Sequence, residues 1–160
     1  MIYLTGDTHI PVDIQKLSAK RFPQQKEMTK KDYVIICGDF GGVWDGSNEE
    51  KYWIKWLKNK NFTTLFIDGN HENFDMLYSF PIVELCGGTA HKIDNGIYHL
   101  IRGEAYTIDG KKSSSLVEQI PTIKSTEWKG KTGGVLKCQM NKNIVMRKRT
   151  LKRIILRSIM

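Results

Sequence analysis

Three short polar clusters each follow an apolar run, and their side chains are of the types that bind divalent cations. Asp7 and His9 stand in GDTH, Asp39 stands in GDFGG, and Asn70 stands beside His71 in GNHE. Oxygen and imidazole donors suit hard or borderline cations such as manganese, iron, zinc or magnesium. The clusters therefore predict a divalent-metal site.

The spacing of these side chains predicts how they share the metal. Asp7 and His9 lie two positions apart on an extended stub, so they can face the same way and hold one ion. Asp39 can offer one carboxylate oxygen to each of two ions, and Asn70 can bring a carbonyl oxygen to the second. Two such ions would turn a bridging water into hydroxide near neutral pH, the nucleophile for a phosphoester. His71 is then placed to protonate the leaving alkoxide or to stabilise the phosphoryl oxygens.

Glycines surround the central carboxylate of this set. Gly38 precedes Asp39, and Gly41 and Gly42 follow it. Glycine lets the backbone turn sharply and adds no side chain. We interpret them as keeping the metal face open to a bulky substrate.

A single cluster is weak evidence for a metal site, because Gly-Asp pairs are common in turns where the Asp side chain hydrogen-bonds to its own backbone. Their order along the chain is more specific. Each cluster ends an apolar run that reads as a strand: IYLTGD, YVIICGD and TTLFIDGN. Three strands separated by helical segments predict a βαβαβ sheet with the ligands at its carboxyl edge.

Two segments between these strands read as helices. Residues 12–21 could form one, with Asp13 near its start. The second helix is predicted to begin after Ser47, because Ser47 and Glu50 have the spacing of a capping box. Its apolar face is predicted from residues at helical spacing: Tyr52, Trp53, Trp56 and Leu57.

The stretches after the third cluster are short and alternating. IVELCGG, HKID, IYHLIRG and EAYTIDG predict strands of a second sheet or of a sheet edge. His91 and His99 lie in them and are interpreted as sheet residues rather than ligands. The cysteines are three in number, and we expect reduced thiols rather than disulfides or a zinc site.

The ordered motifs resemble the calcineurin-like metallophosphoesterase superfamily, and ICGDFGGVWDG and DGNHENFD are similar to its small bacterial members. The resemblance implies an α/β two-sheet sandwich with flanking helices, two divalent ions, and hydrolysis of phosphomonoesters or phosphodiesters. By motif position Asp7 and His9 would bind the first ion, Asp39 would bridge, Asn70 would bind the second, and His71 would assist the leaving group. Glu72 would support the loop.

This chain departs from the family pattern in its second half. The family has a later histidine and a final Gly-His-x-His pair that complete the metal shells, and this chain has no histidine after His99. Composition changes in the same place: more than half of the 25 Lys and Arg residues follow residue 110, with Glu118 and Glu127 as the acids there. A truncated or frame-shifted chain would explain both changes. We therefore predict a phosphoesterase part over residues 1–112, incomplete at its C-terminal half, and an atypical basic tail over residues 113–160.

Two other functions remain open. The first is an inactive family remnant. In the second, the amphipathic pattern of residues 146–160 lets the basic tail bind nucleic acid or an anionic membrane. No apolar run approaches the roughly 18 residues of a membrane span, and the N-terminus has no secretory pattern, so a cytoplasmic protein is expected.

Overall fold

The computed structural model describes residues 1–114 and 136–137, with side chains described over residues 1–110. This part of the chain contains short strands, two 3-10 helices and two α-helices. In chain order the elements are β1 (Ile2–Thr5), 3-10 helices at Ile14–Leu17 and Pro23–Glu27, β2 (Tyr33–Cys37), α1 (Asn48–Lys58), β3 (Thr63–Ile67), α2 (Phe74–Tyr78), β4 (Ile82–Leu85), β5 (Gly88–Asp94), β6 (Ile97–Leu100), β7 (Ala105–Ile108), β8 (Lys111–Ser114) and β9 (Leu136–Lys137).

The main sheet is mixed. Over the described residues its strand order is β4-β5-β6-β3-β2-β1-β9. The neighbours β1, β2, β3 and β6 are parallel to one another, whereas β4, β5 and β9 pair antiparallel. The carboxyl ends of β1, β2 and β3 therefore meet at one edge, as predicted. Strands β7 and β8 form a separate two-stranded sheet.

The main sheet is covered on both faces. Alternate residues of β2 enter different clusters: Val34 and Ile36 pack in one and Ile35 in the other. Tyr106 and Ile108 of β7 belong to the same cluster as Ile35, so the small sheet covers that face. The opposite face packs against α1 and α2. The predicted α/β class with two sheets is confirmed.

Helix α1 begins at the predicted N-cap, where Ser47 Oγ accepts a hydrogen bond of 3.2 Å from the Glu50 backbone N–H. Its buried face differs from the prediction at one position. Leu57 is fully buried and Ile54 packs against the core, but Tyr52 is 59% exposed. The successive 100° steps of an α-helix carry Tyr52 outside the stripe centred on Leu57, and Ile54 takes its place.

The helix predicted over residues 12–21 is wrong. The structure has only a 3-10 turn at Ile14–Leu17. Ile14 and Leu17 are fully buried, and a separation of three residues places them on the same side of a 3-10 turn. Asp13 makes no capping bond through its side chain; its carboxylate accepts from Lys16 Nζ at 2.9 Å.

The four later stretches are strands, but three of them, β4, β5 and β6, extend the main sheet. His91 on β5 and His99 on β6 are cross-strand partners, so their prediction as sheet residues is confirmed. Cys37 and Cys86 are half-buried thiols. Cys138 and residues 146–160, where the amphipathic basic pattern lies, are outside the described residues. None of the helices in the described part has the length and apolar character needed to cross a membrane.

Candidate metal centre

The loops after β1 and β2 bring three predicted ligands together. One ligand atom each from Asp7, His9 and Asp39 lies within 4.8 Å of the other two. His9 Nε2 is 3.3 Å from Asp39 Oδ2 and 3.9 Å from Asp7 Oδ2. Asp39 is buried, while the side chains of Asp7 and His9 are about half exposed. The cluster is thus buried on the side of Asp39 and open to solvent on the side of Asp7 and His9.

Backbone hydrogen bonds hold these two loops against each other. The Asp39 carbonyl accepts the N–H groups of Thr8 at 2.8 Å and His9 at 3.0 Å. The Phe40 carbonyl accepts the Ile10 N–H at 3.1 Å and Thr8 Oγ1 at 2.8 Å. They fix His9 at φ +36°, in the left-handed region that costs energy for a residue with a side chain. The surrounding structure therefore imposes the position of this imidazole.

The loop after β3 joins the cluster through Asp39. The His71 backbone N–H donates to Asp39 Oδ1 at 2.9 Å. A Cβ on Gly69 would lie 1.9 Å from the same oxygen, so only glycine allows this approach. Asn70 is exposed and lies in the chain between Gly69 and His71, the two residues that approach Asp39. The His71 ring crosses the His9 ring edge-to-face at a centroid distance of 5.7 Å.

The glycine before Asp39 makes room for the carboxylate of a neighbouring loop. A Cβ on Gly38 would lie 1.9 Å from Asp7 Oδ1, and the residue has φ +118°. Atoms of neighbouring residues likewise occupy the space beside Gly41 and Gly42. These glycines make room for the chain's own loops, because parallel strand ends crowd their loops together. Their predicted role in keeping the metal face open to a substrate stays a prediction.

Glu72 holds its own loop, the one after β3, against the loop after β2, in agreement with the predicted supporting role. Its Oε1 accepts the Phe40 backbone N–H at 2.6 Å, and its Oε2 is buried without a hydrogen-bond partner among the described residues. Burial raises the pKa of Glu72 to about 7, and the nearby Asp39 and Asp68 carboxylates act in the same direction. Glu72 thus ties the third loop to the second.

A hydrogen-bond network centred on the buried Asp68, two residues before Asn70, was not predicted from the sequence. The Asp68 carboxylate is completely buried, lies 2.9 Å from His99 Nε2, and pairs with the Arg102 guanidinium. Burial acts to raise its pKa, but the hydrogen bonds of His99 and Arg102 outweigh this effect and lower the pKa. Arg102 Nη2 also donates to the Gly69 carbonyl at 3.2 Å. Asp68 directly precedes GNHE, and this was the available sequence signal.

A lysine ammonium group supports the loop after β1. Lys16 is buried, and its Nζ donates both to the Asp7 carbonyl and to the Asp13 carboxylate. Lys16 therefore holds the backbone carbonyl of the predicted ligand Asp7, and Arg102 holds the carbonyl of Gly69, which precedes the predicted ligand Asn70. The 3-10 turn brings Lys16 to this position, and no motif in the sequence marks it.

We expect the stability of the fold to depend on pH, because His91 and His99 are buried. His91 Nδ1 lies 3.0 Å from His99 Nδ1, and the rings are stacked. Burial, and then the charge of His99, lower the pKa of His91 below its ordinary value of 6.5. The unfolded chain therefore takes up a proton more readily, and the free energy of unfolding should fall as pH falls through 6.5.

We expect His91→Asn to reduce this pH dependence. The Asn amide can replace the Nδ1 hydrogen bond but does not titrate. Urea unfolding of the wild type and of His91→Asn, followed from neutral to mildly acidic pH, should differ in slope by at most about 1.4 kcal/mol per pH unit. Equal slopes would show that His91 is not the titrating group.

Comparison with known proteins gives a family. The model of the calcineurin-like phosphoesterases matches residues 1–144, which include all three metal-capable loops. The match continues past residue 112, and the predicted division at that residue stays a prediction. No curated protein and no solved structure matches the chain.

Proposed function

The chain belongs to the calcineurin-like phosphoesterase family, and from this premise we propose that it hydrolyses phosphoesters at the Asp7, His9 and Asp39 cluster. The observation that carries the proposal is the convergence of these three side chains to within 4.8 Å at the carboxyl edge of the sheet. Open α/β sheets place their ligand sites at this edge.

The donor set fits a divalent cation. It offers carboxylate oxygens and an imidazole nitrogen and no thiolate, a choice that suits manganese, iron, zinc or magnesium. Within the described residues, no Lys or Arg side chain pairs with the Asp7 or Asp39 carboxylate. A bound cation would supply the missing positive charge. We propose two ions: Asp7 and His9 would hold the first, Asn70 would hold the second, and Asp39 would contribute a carboxylate oxygen to each.

The metal ions and the chain's own side chains would have different roles in the reaction. Bound divalent ions supply Lewis acidity and an activated water. The attacking oxygen forms a bond to phosphorus, and the bond from phosphorus to the leaving oxygen breaks. His71 is exposed beside His9, and we assign it the transfer of a proton to the leaving alkoxide. Asp39 aligns His71 by accepting its backbone N–H.

The first test is metal-dependent turnover. The purified chain, stripped with chelator, should hydrolyse bis(p-nitrophenyl) phosphate only after manganese is returned. Turnover that persists in chelator would contradict a metal-dependent reaction. Absence of turnover with each of the four candidate metals would contradict the hydrolase function.

The second test concerns His71. We expect His71→Ala to lower kcat by about 10²- to 10⁴-fold for an alkyl phosphodiester, whose leaving group needs a proton. The loss should be much smaller for bis(p-nitrophenyl) phosphate, because nitrophenolate leaves without protonation. Manganese affinity serves as the control and should not change. An equal loss on both substrates would mean that His71 acts on binding or structure instead.

A further inference from the structure

We propose that Arg102 is a positioning residue of the candidate metal centre, which acts through the Gly69 carbonyl to hold Asn70 in place for the second ion. The inference rests on the proposed function, because that function makes Asn70 a ligand, and it adds a residue that controls one of the two ions. Arg102 follows the carboxyl end of β6 by two residues. Strand β6 is the parallel neighbour of β3, so Arg102 and Asn70 both follow carboxyl ends at the same edge of the sheet.

The guanidinium of Arg102 is held by a buried carboxylate. Its Nε and Nη2 atoms both bond to Asp68 Oδ2, and the other carboxylate oxygen, Oδ1, lies 2.9 Å from His99 Nε2. Asp68 and His99 are both buried, so the packing around them restricts the position of this carboxylate. The Arg102 Cζ atom also lies 5.6 Å from the centre of the Phe74 ring. A planar guanidinium that is held at several points keeps its N–H donors in fixed directions.

The backbone next to Arg102 is held as well. The Ile101 N–H donates to the Tyr106 hydroxyl at 2.8 Å, and the Ile101 carbonyl accepts the Glu104 N–H at 3.2 Å. Tyr106 is itself buried, and its hydroxyl donates to the Thr89 carbonyl at 2.5 Å. The Arg102 side chain thus projects from an ordered turn, and this pre-organisation lowers the entropic cost of holding the guanidinium in one place.

The guanidinium reaches the backbone next to Asn70. Arg102 Nη2 donates to the Gly69 carbonyl at 3.2 Å. The Gly69 carbonyl and the Asn70 N–H belong to one planar peptide group, so a bond to this oxygen sets the direction in which the chain enters Asn70. On the other side of Asn70, the His71 N–H donates to Asp39 Oδ1 at 2.9 Å. The backbone of Asn70 is therefore fixed from both sides.

The position of the Asn70 side chain depends on these backbone contacts. This side chain is exposed and makes no hydrogen bond to the residues that the structure describes. The proposed ligands of the first ion are held differently, because the His9 N–H donates to the Asp39 carbonyl at 3.0 Å and the Asp7 carbonyl accepts from Lys16 Nζ. Loss of the Arg102 bond should therefore weaken binding of the second ion and spare the first.

Calorimetric titration of the chelator-stripped protein with manganese tests this role without turnover. We expect two binding events in the wild type. Arg102→Met should weaken one of them by about 10- to 100-fold, the typical effect of losing a group that orients a metal ligand, and should leave the other unchanged. Arg21→Met is the matched control, because Arg21 is exposed and lies outside the metal-capable loops. It should bind both ions like the wild type.

Two further variants are needed because Arg102→Met also leaves the buried Asp68 carboxylate without its cation. The double variant Asp68→Asn with Arg102→Met removes this unpaired charge, and the Asn amide can still bond to His99. In urea unfolding with chelator the double variant should be more stable than Arg102→Met, yet it should bind the second manganese equally weakly. Arg102→Lys should recover most of the affinity, because Lys16 shows that one ammonium group can join a carboxylate and a backbone carbonyl.

The outcomes for Arg102 and for the hydrolase function are separable. Unchanged affinities in Arg102→Met, equal weakening of both events, wild-type affinities in the double variant, or no recovery in Arg102→Lys would overturn the proposal. A wild type that binds fewer than two manganese ions would overturn it as well. Turnover of bis(p-nitrophenyl) phosphate, measured on the same samples, decides the hydrolase function. Selective loss of one ion in Arg102→Met without turnover in the wild type would contradict only that function.

Discussion

Replacing Asp39 by Asn should remove manganese-dependent hydrolysis while leaving the fold intact. Asp39 is the buried member of the candidate metal cluster, and its two oxygens face different partners: Oδ1 accepts from the His71 backbone and Oδ2 lies 3.3 Å from His9 Nε2. An Asn amide can still accept through one oxygen, but its NH₂ group offers a cation no lone pair.

The expected loss is large. Removing a group that only orients a metal ligand typically costs about 10- to 100-fold in affinity or activity, and loss of a ligand should exceed this. We therefore expect manganese affinity and kcat/KM to fall by at least about a hundredfold. Calorimetric titration with manganese and hydrolysis of bis(p-nitrophenyl) phosphate measure the two quantities.

Asp75→Asn is the matched control, because Asp75 is exposed on α2. It should bind manganese and turn over substrate like the wild type. In chelator, Asp39→Asn should be at least as stable as the wild type, since it removes a negative charge beside Asp7. If Asp39→Asn kept its manganese affinity, the cluster would not be the metal site.

Replacing Phe66 by Ala should cause the largest loss of stability. Phe66 is fully buried on β3, stacks on Phe40 at 4.1 Å, and contacts the His99 ring at 5.1 Å. Truncating a buried Phe typically costs about 3–5 kcal/mol, because apolar burial is lost and a cavity remains. Single domains have about 5–15 kcal/mol of stability in total, so this change removes a large part of it.

Urea unfolding in chelator separates this effect from metal binding. Phe66→Leu should lose less, because it fills more of the cavity, and Tyr52→Ala should change the free energy of unfolding by no more than about 0.5 kcal/mol, because Tyr52 is exposed. A loss below about 1 kcal/mol for Phe66→Ala would show that the layer between β3 and Phe40 does not support the fold.

Local sequence patterns were sufficient to predict strands β1, β2 and β3 and the placement of the candidate ligands. The runs at β1, β2 and β3 are apolar and end in Gly-Asp or Asp-Gly-Asn, and both signals are local. Once the three strands are parallel neighbours, Asp7, Asp39 and Asn70 must lie at the same edge. The N-cap at Ser47 could be predicted for the same reason, because capping depends on residues three positions apart.

The pairing of the later strands could not be predicted from local patterns. Alternation predicts which residues of a strand face a core, but it does not identify the neighbouring strand. Strand β6 therefore read as part of a second sheet or a sheet edge, whereas it pairs in parallel with β3. That pairing brings His99 within 2.9 Å of Asp68, a residue 31 positions away.

The supports of the candidate ligands depend on the same long-range packing. Arg102 reaches the Gly69 carbonyl from the end of β6, Lys16 reaches the Asp7 carbonyl from a 3-10 turn, and Gly38 makes room for the Asp7 carboxylate. None of these partners has a fixed sequence spacing from the group that it serves. Local patterns could therefore identify the residues that carry the chemistry, but the contacts that hold them in place depend on how distant segments pack.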